Sequence, residues 1–314
     1  MSLFLVTGGA GFIGSHLVTD IIARGDDVRV LDNFSTGKRE HVKLFCDNPP
    51  SDRVTVSEGD VRDQALVEQL MEGVDYVLHL AAVVSVPQSM REPGLTNDIN
   101  VNGTLNVLAA ARKFNVKRVV FSSSCAVYGD NPQLPLSEQS VTQPLSPYAA
   151  SKLIGEVYCQ TYYRAYGLPT VCLRYFNIYG PRQDPNGDYA AVIPKFVQRL
   201  KAGQAPLVYG DGLQTRDFVY VSDVVRANLL ACQHPQASGQ VFNIASDQGT
   251  SLLDLADILS SLAPRSIRPQ FAPARDGDIR HSRGDGTRAH TMLGFQPAIR
   301  LIEGLRQLYD SVNH

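Results

Sequence analysis

The chain has 314 residues, 44% hydrophobic and 19% charged, with a formal net charge of −2. This is the composition of an ordinary soluble globular protein with room for one or two cores, and its charge balance gives no basis for nucleic acid or an anionic membrane surface as a partner. No apolar run approaches the roughly 20 residues of a membrane span, and Met1-Ser2 leads straight into the first strand with no room for a signal peptide, so a cytoplasmic protein is expected.

Leu3–Thr7 reads as a short buried strand. It runs into Gly8-Gly9-Ala10-Gly11-Phe12-Ile13-Gly14, and Ile13, Leu17 and Ile21 then recur at helical spacing, which predicts a helix over Gly11–Arg24. Val28–Leu31 is a second strand ending at Asp32. Strand, glycine turn, helix, strand, acid is the context in which a glycine fingerprint holds a dinucleotide. Gly8, Gly11 and Gly14 allow a tight turn, and the amides at Phe12, Ile13 and Gly14 open the positive end of a helix toward a pyrophosphate. Asp32 would accept hydrogen bonds from the adenosine ribose and repel a 2′-phosphate, which favours NAD over NADP. Lys38 and Arg39 nearby keep NADP as the alternative. The spacing is Gly-x-x-Gly-x-x-Gly rather than Gly-x-Gly-x-x-Gly.

Further strands are predicted over Val54–Glu58, Tyr76–Leu80, Val119–Ser123 and Val171–Tyr175, with helices over Gln64–Met71, Thr96–Phe114 and Pro147–Tyr166. The alternation implies an α/β fold with a doubly wound parallel (Rossmann) sheet. The carboxyl ends of the strands then define the site, and Gly14, Asp32, Asp60, Leu80, Ser124 and Tyr175 all fall at or near such ends. Beyond Asn177, prolines and glycines break the pattern into a smaller, loop-rich C-terminal lobe, with a substrate cleft between the lobes. The five cysteines are scattered without a Cys-x-x-Cys pair and the seven histidines form no His-x-x-x-His pair, so neither a disulfide framework nor a metal site is expected.

Ser124 stands 24 residues ahead of Tyr148, and Lys152 follows four residues after it. A Tyr and a Lys four apart share one helix face. The Lys152 ammonium is expected to lower the Tyr148 phenol from its ordinary pKa of about 10. Tyr148 could then act as a general base near neutral pH, with Ser124 holding the same substrate hydroxyl.

These motifs, in this order, resemble the extended short-chain dehydrogenase/reductase family, and within it the UDP-hexose 4-epimerase group. The resemblance runs from Phe4 to about Asp285 and rests on Thr7–Gly14, Asp32–Gly37, Gly59-Asp60-Val61, His79–Ala82, Ser122–Ser124, Tyr148–Lys152, Arg174–Asn177, Arg216-Asp217-Phe218 and Arg275-x-x-Asp278. It implies an NAD-binding domain over 1–176 with a return segment at about 217–245, and a substrate-binding lobe over 177–216 and 246–314. Carried over onto matching positions, it adds Asn33, Ser35, Thr36, Gly37, Asp60, Val61, Leu80, Ala81, Ala82, Asn100, Ser122 and Tyr175 to the cofactor site, alongside Tyr148 and Lys152. It also implies a homodimer in which the helices Thr96–Phe114 and Pro147–Tyr166 pair across a two-fold axis as a four-helix bundle.

Members that dehydrate a sugar carry acids in the two positions after Ser124, and decarboxylating members keep a Glu at the second. Here those positions are Cys125 and Ala126. Alanine can neither donate nor accept a proton, which favours epimerisation: Tyr148 removes the proton of the 4-hydroxyl as carbon 4 is oxidised by NAD, the 4-keto sugar turns, and reduction occurs on the opposite face. The resemblance implies a uridine diphosphate handle gripped by Arg216 and Arg275, with Asp278 on the uridine ribose, Leu207 and Tyr209 around the base, and Asn177 on the sugar phosphate. Val84, Ser124, Tyr148, Asn177, Ala191 and Ser282 would wall the sugar. A bulky Tyr at the last position restricts the family to plain hexoses, whereas Ser282 leaves room for an acetamido group. The run from Gln183 through Ala191 and Val192 to Lys195 resembles the branch acting on N-acetylated UDP-hexoses and their uronic acids. Ser85, Gln88 and Ser89 are the candidates near carbon 6, with no Arg before Arg91. The expectation is interconversion of UDP-N-acetylglucosamine and UDP-N-acetylgalactosamine, possible alternatives being UDP-glucose/UDP-galactose, a UDP-uronate pair, a dehydratase or decarboxylase, or a catalytically silent sensor of NAD or a sugar nucleotide.

Overall fold

The computed structural model describes residues 1–46, 52–186, 191–274 and 279–312. Seven strands form the central sheet: β1 Leu3–Thr7, β2 Asp27–Asp32, β3 Val54–Glu58, β4 Tyr76–His79, β5 Arg118–Ser124, β6 Thr170–Tyr175 and β7 Gln240–Ile244. Their order is β7-β6-β5-β4-β1-β2-β3, every pair parallel. This is the doubly wound sheet the alternation predicted, and the chain reverses direction across the sheet between β1 and β4. Helices cover both faces, so the inner strands are apolar along their length: Leu5, Val6, Val77, Leu78, Val120 and Val171 are all fully buried. Register aligns the strand ends that matter, with Thr7 opposite Leu31 and His79, and Ser124 opposite Tyr175.

Two expectations change. The helix predicted over Thr96–Phe114 is not uniform: helix Pro93–Asn97 passes through a π-helical turn at Asp98–Asn102 into helix Gly103–Lys113. Such bulges recur at functional sites because they re-aim side chains, and here the turn carries Asn100. Gly103 follows it because a Cβ there would meet Val61 Cγ2 at 2.6 Å. The C-terminal lobe is also more helical than its prolines and glycines suggested. Helices Val192–Lys201, Leu252–Leu262 and Leu301–Ser311 pack around their own apolar cluster of Ile193, Phe196, Leu255, Leu305 and Tyr309. Pro194 sits in the first turn of Val192–Lys201, where a helix tolerates proline, and Pro264 follows the end of Leu252–Leu262.

Short strands join the segments that follow β6. Asn177–Tyr179 pairs with Phe218–Tyr220, Leu207–Tyr209 with Gln270–Ala272, and Thr215–Arg216 with Thr250–Ser251. Asp217 is the knot among them. It is fully buried, and its carboxylate accepts from Ser246 N–H and Oγ–H, both at 2.7 Å, and from Gly284 N–H at 3.1 Å.

Candidate active site

The glycine turn leaves β1 with Gly8 at φ 72° and its N–H bonded to Leu31 O on β2. A Cβ at Gly14 would lie 2.1 Å from Gly8 O, and one at Gly8 would lie 2.9 Å from Ala81 N. Side chains there would clash with the backbone of the turn and of the Leu80-Ala81 loop, so only glycine lets the turn close. Helix Phe12–Ala23 starts at Gly11 with no side-chain cap, so its first amides are left for a ligand to satisfy.

Asp32 ends β2 with one carboxylate oxygen bonded to Ala10 N–H at 2.9 Å and the other to Phe34 N–H at 2.8 Å. Burial pushes its pKa up, with those two bonds and His41 acting against it. A Cβ at Gly37 would reach 2.7 Å from Asp32 Oδ1, so glycine keeps this edge open. Lys38 pairs instead with Asp184 at 3.3 Å, and Arg39 with Glu58 at 2.7 Å while lying over the Phe34 ring. Both are thereby drawn away from Asp32. Ser35 and Thr36 are exposed on the intervening loop. Asn33 donates to Asp60 at 2.9 Å, and hydrogen bonds from Arg62 hold the Asp60 carboxyl down at about 2. Val61 is buried beneath.

Below the next loop lies a buried relay. Thr104 Oγ1 donates to Asn100 O at 2.6 Å, so it accepts from His79 Nε2 at 3.0 Å. His79 Nδ1 then accepts from Thr7 Oγ1 at 2.7 Å, which in turn accepts from the Leu80 and Ala81 amides at 3.2 Å each. The tautomer follows from this chain of donors. Burial first, and the Lys152 charge second, press the His79 pKa down to about 3, so the imidazole is neutral. Asn100 clamps the other end of the loop through Val83 N–H and O, and donates to Ser151 Oγ at 2.9 Å. Its carboxamide thus positions the loop Leu80-Ala81-Ala82-Val83 against the helix of Tyr148.

That helix, Pro147–Tyr166, begins with Ser146 capping Ala149 N–H at 3.2 Å and Pro147 at its first position. Tyr148 and Lys152 share its sheet-facing side. Lys152 Nζ is buried and donates to Ser122 O at 2.8 Å, and burial lowers its pKa to about 8. The expected depression of Tyr148 is not found. Loss of water around the phenol raises its pKa to about 12, and hydrogen bonding to Ser124 only moderates the rise. The ammonium is 6.0 Å from the Tyr148 ring centre and directed at the Ser122 carbonyl. Residue spacing correctly placed the pair on one face, but dehydration outweighs the lysine charge at the hydroxyl. Ser124 closes β5, and its Oγ accepts from Ala126 N–H at 3.2 Å. The Ser122 and Tyr175 hydroxyls lie 3.1 Å apart and turn into the core toward Asn228, so Ser122 contributes to the cleft through its carbonyl.

Immediately after Ser124, Cys125 meets Ser282. Burial and then Asp217 push the thiol up to about 11, while Arg216 and the Ser282 hydroxyl pull the other way. Cys125 is therefore a protonated packing group. Ser282 is 7% exposed and donates its N–H to Thr215 O. Arg216 Nη1 donates to Thr215 O at 2.8 Å. Asn177 donates its backbone N–H to Asp217 O, and its carboxamide makes no hydrogen bond to the described residues. Val84 is 59% exposed, Ser85 caps Gln88 N–H, and Gln88 donates to Glu92. Ala191 is exposed at the start of helix Val192–Lys201, on which Val192 and Lys195 are half-buried, and Leu207 and Tyr209 flank buried Val208. Arg275 and Asp278, and residues 187–190 of the run before Lys195, lie outside the described residues.

Thr7, His79, Thr104 and Ser151 were not assigned from sequence. Their signal is faint: Thr104 lies four residues after Asn100, and Ser151 three after Tyr148, each bonding back into its own helix. Among the described residues no helix is long and apolar enough to cross a membrane, and no cluster of three or more metal-ligating side chains occurs.

Residues 4–245 match the model of the NAD dependent epimerase/dehydratase family. A UDP-glucose 4-epimerase of Mycolicibacterium smegmatis is 41% identical over 308 residues, covering 98% of this chain and 97% of its own. Among solved structures, a UDP-N-acetylglucosamine 4-epimerase from Methanobrevibacter ruminantium, in complex with UDP-N-acetylmuramic acid, superposes with a TM-score of 0.93 at 40% identity, covering 98% of this chain and 97% of that one. The UDP-glucose 4-epimerase of Thermotoga maritima with UDP-glucose gives 0.91 at 39% identity, covering the same shares. With the glycine cradle, Asp32 and the Ser124–Tyr148–Lys152 set gathered at the strand ends, the chain belongs to the NAD dependent epimerase/dehydratase family, as an NAD-dependent isomerase.

Proposed function

We propose that this UDP-sugar 4-epimerase interconverts UDP-N-acetylglucosamine and UDP-N-acetylgalactosamine. The observation that carries the reaction type is the meeting of Ser124, Tyr148 and Lys152 beside the glycine cradle, with Cys125 and Ala126 where dehydrating enzymes need acids. The cradle fits NAD, since bare glycines at Gly8 and Gly14 let the turn close on its own backbone and helix Phe12–Ala23 begins without a side-chain cap, leaving its first amides for a pyrophosphate. Bound NAD would supply a reversible two-electron acceptor for the sugar carbon. Tyr148 takes and returns the proton of the 4-hydroxyl, with Ser124 holding that hydroxyl in place. A phenol at about 12 is a poor base alone, so the positive charge of the oxidised cofactor and of Lys152 must act together on the assembled site. Lys152, anchored on Ser122 O, is held on the helix face that Tyr148 shares.

For the sugar, the small residues Ser282 and Ala191 support an N-acetylated substrate. Arg216, Arg275, Asp278, Leu207, Tyr209 and Asn177 are the proposed grip on the uridine diphosphate, with Val84, Ser85, Gln88, Val192 and Lys195 around the sugar. The plain UDP-glucose/UDP-galactose pair is the second reading, because relatives at 39–41% identity carry that name. Incubation with UDP-N-acetylglucosamine, read by the sugar proton spectrum, tests the proposal. A 4-epimer is expected. A dehydrated product, or turnover of plain hexoses only, would replace it.

The lobes proposed are 1–176 with 217–245, and 177–216 with 246–314. The protein is further proposed to be a homodimer through the segment Thr96–Phe114 and the helix Pro147–Tyr166. Ile154 and Val157, 38% and 56% exposed on the second helix, support a second apolar face. A monomer by sedimentation at micromolar concentration would contradict it.

A further inference from the structure

Two turns along the helix from Tyr148, and one from Lys152, stands Glu156, only 2% exposed. Arg174 on β6 grips it with a two-pronged fork: Nε to Oε1 at 2.8 Å and Nη2 to Oε2 at 2.7 Å. Ser123 Oγ, from the residue between Ser122 and Ser124, donates to the same carboxylate at 2.5 Å. Arg174 Nη1 reaches Tyr128 OH at 2.9 Å, and Tyr128 donates to Asn243 Oδ1 on β7 at 2.6 Å. Asn243 Nδ2 then donates to Leu136 O and to Asp285 O, in the segment that carries Ser282. Beside Glu156 the helix lies tight on β5, where a Cβ at Gly155 would sit 2.3 Å from the Phe121 ring.

We propose that the Glu156–Arg174 pair is a positioning device for the reaction, setting the Tyr148–Lys152 face of its helix against the Ser122–Ser124 end of β5. A buried ion pair is weak evidence for stability, since apolar residues of similar volume often serve as well or better. What the fork adds is direction: two parallel bonds fix both the angle and the height of the helix. Apolar packing at Gly155 sets how close the helix comes but would let it slide along its axis. The partners of Glu156 are the immediate neighbours of the groups that must stay in register. Ser123 adjoins Ser122, whose carbonyl holds Lys152, and Ser124, which faces Tyr148. Arg174 adjoins Tyr175, the residue paired with Ser124. Glu156 and Arg174 touch no reacting atom and act through Tyr148 and Lys152. The inference rests on the reading of Tyr148 as the acid/base group.

The test uses the NAD-loaded, full-length protein. Glu156→Gln keeps the shape and one acceptor oxygen, but puts an NH2 that cannot accept from Arg174 in place of the other and so loses the fork. The expected result is a kcat lower by about 10- to 100-fold, the scale of an ångström-sized misplacement, with KM for the UDP-sugar and bound NAD nearly unchanged. In a Tyr148→Phe background the same substitution should cost much less, because one of the two groups it positions is already removed. An unchanged kcat, or an equal proportional loss in both backgrounds, overturns the proposal. Should Glu156→Gln fail to fold, Ser123→Ala removes one of the three bonds and carries the same two-background comparison with a smaller drop. A wild type inactive on every UDP-sugar counts against the functional reading alone. The crystal structure of the Glu156→Gln holoenzyme then decides: opening of the 2.8 Å Lys152–Ser122 contact supports the device, and its retention overturns it.

Discussion

Along the proposed cofactor side, polar groups are committed to one another. Asp32 holds two backbone amides, Asp60 holds Asn33 and Arg62, and His79 bridges Thr7 and Thr104 beneath the Leu80-Ala81 turn. Along the proposed sugar side, Val84 and Ala191 are exposed, and the Asn177 carboxamide bonds to none of the described residues. The contrast matches two different tasks. A cofactor that is to stay in place benefits from a frame whose ordering cost has already been met. A sugar that must present both faces of carbon 4 needs walls that do not grip the ring, so its hold is expected on the nucleotide handle.

The largest effect should come from the group where the two sides meet. Tyr148→Phe keeps the packing and removes the acid/base hydroxyl, so kcat should fall about 10²–10⁴-fold with UDP-sugar binding little changed. Turnover like wild type would end the assignment. Next comes the rigid side: in Gly14→Ala the new methyl would lie 2.1 Å from Gly8 O. Overpacking of this kind costs about 1–3 kcal/mol, and NAD retention should weaken by roughly 5- to 150-fold. Denaturation of the purified wild type should release NAD without any being added, and release of NADP instead would mean that Lys38 or Arg39 overrides Asp32.

The open side is probed by Ser282→Tyr. The ring would take the space proposed for the acetamido group, and the same overpacking cost should lower kcat/KM for N-acetylated substrates by about 5- to 150-fold. Plain UDP-hexoses should be spared. An equal loss for both classes would show that Ser282 does not face carbon 2.

The smallest effect is on stability. Lys152 has its pKa lowered from 10.5 to about 8 by burial. Between those values the unfolded chain binds more protons than the folded one, so stability rises with pH across the window. The cost of burying the ammonium is full below pH 8. Lys152→Met should therefore lose activity yet unfold at a higher temperature at pH 7, by a gain of about 1 kcal/mol once the lost bond to Ser122 is set against the relief. The gain should shrink toward pH 10. A lower unfolding temperature at pH 7 would show that the Ser122 contact outweighs the burial cost.

Much of this architecture was legible in the residues. Apolar runs of four to six residues separated by amphipathic stretches predicted six strands of the sheet to within a residue or two at each end, because burial on both faces writes itself into composition. The glycine turn was legible because its backbone leaves no room for a Cβ. Tyr148 and Lys152 were legible because a four-residue interval is one helical turn. The seventh strand was not predicted, the resemblance implying only a return segment at about 217–245, and helix Val192–Lys201 was obscured by Pro194 despite a clear apolar stripe of Ile193, Phe196, Val197 and Leu200.

What the residues determined by themselves was therefore the local and periodic part: which segments are strands, where the backbone must be bare, which side chains share a helix face, and that no acid follows Ser124 at Ala126. Only the tertiary structure decided the rest. It showed that the phenol of Tyr148 is raised rather than lowered, that a π-helical turn aims Asn100 at the loop of Ala81 and Ala82, that Cys125 meets Ser282, and that Glu156 is locked by Arg174 and Ser123. The physical reason is common to all four. Desolvation, hydrogen-bond partners and close approach depend on groups that lie far apart in the chain, as Glu156 and Ser123 do, and no interval in the sequence encodes which of them will share the same dry volume.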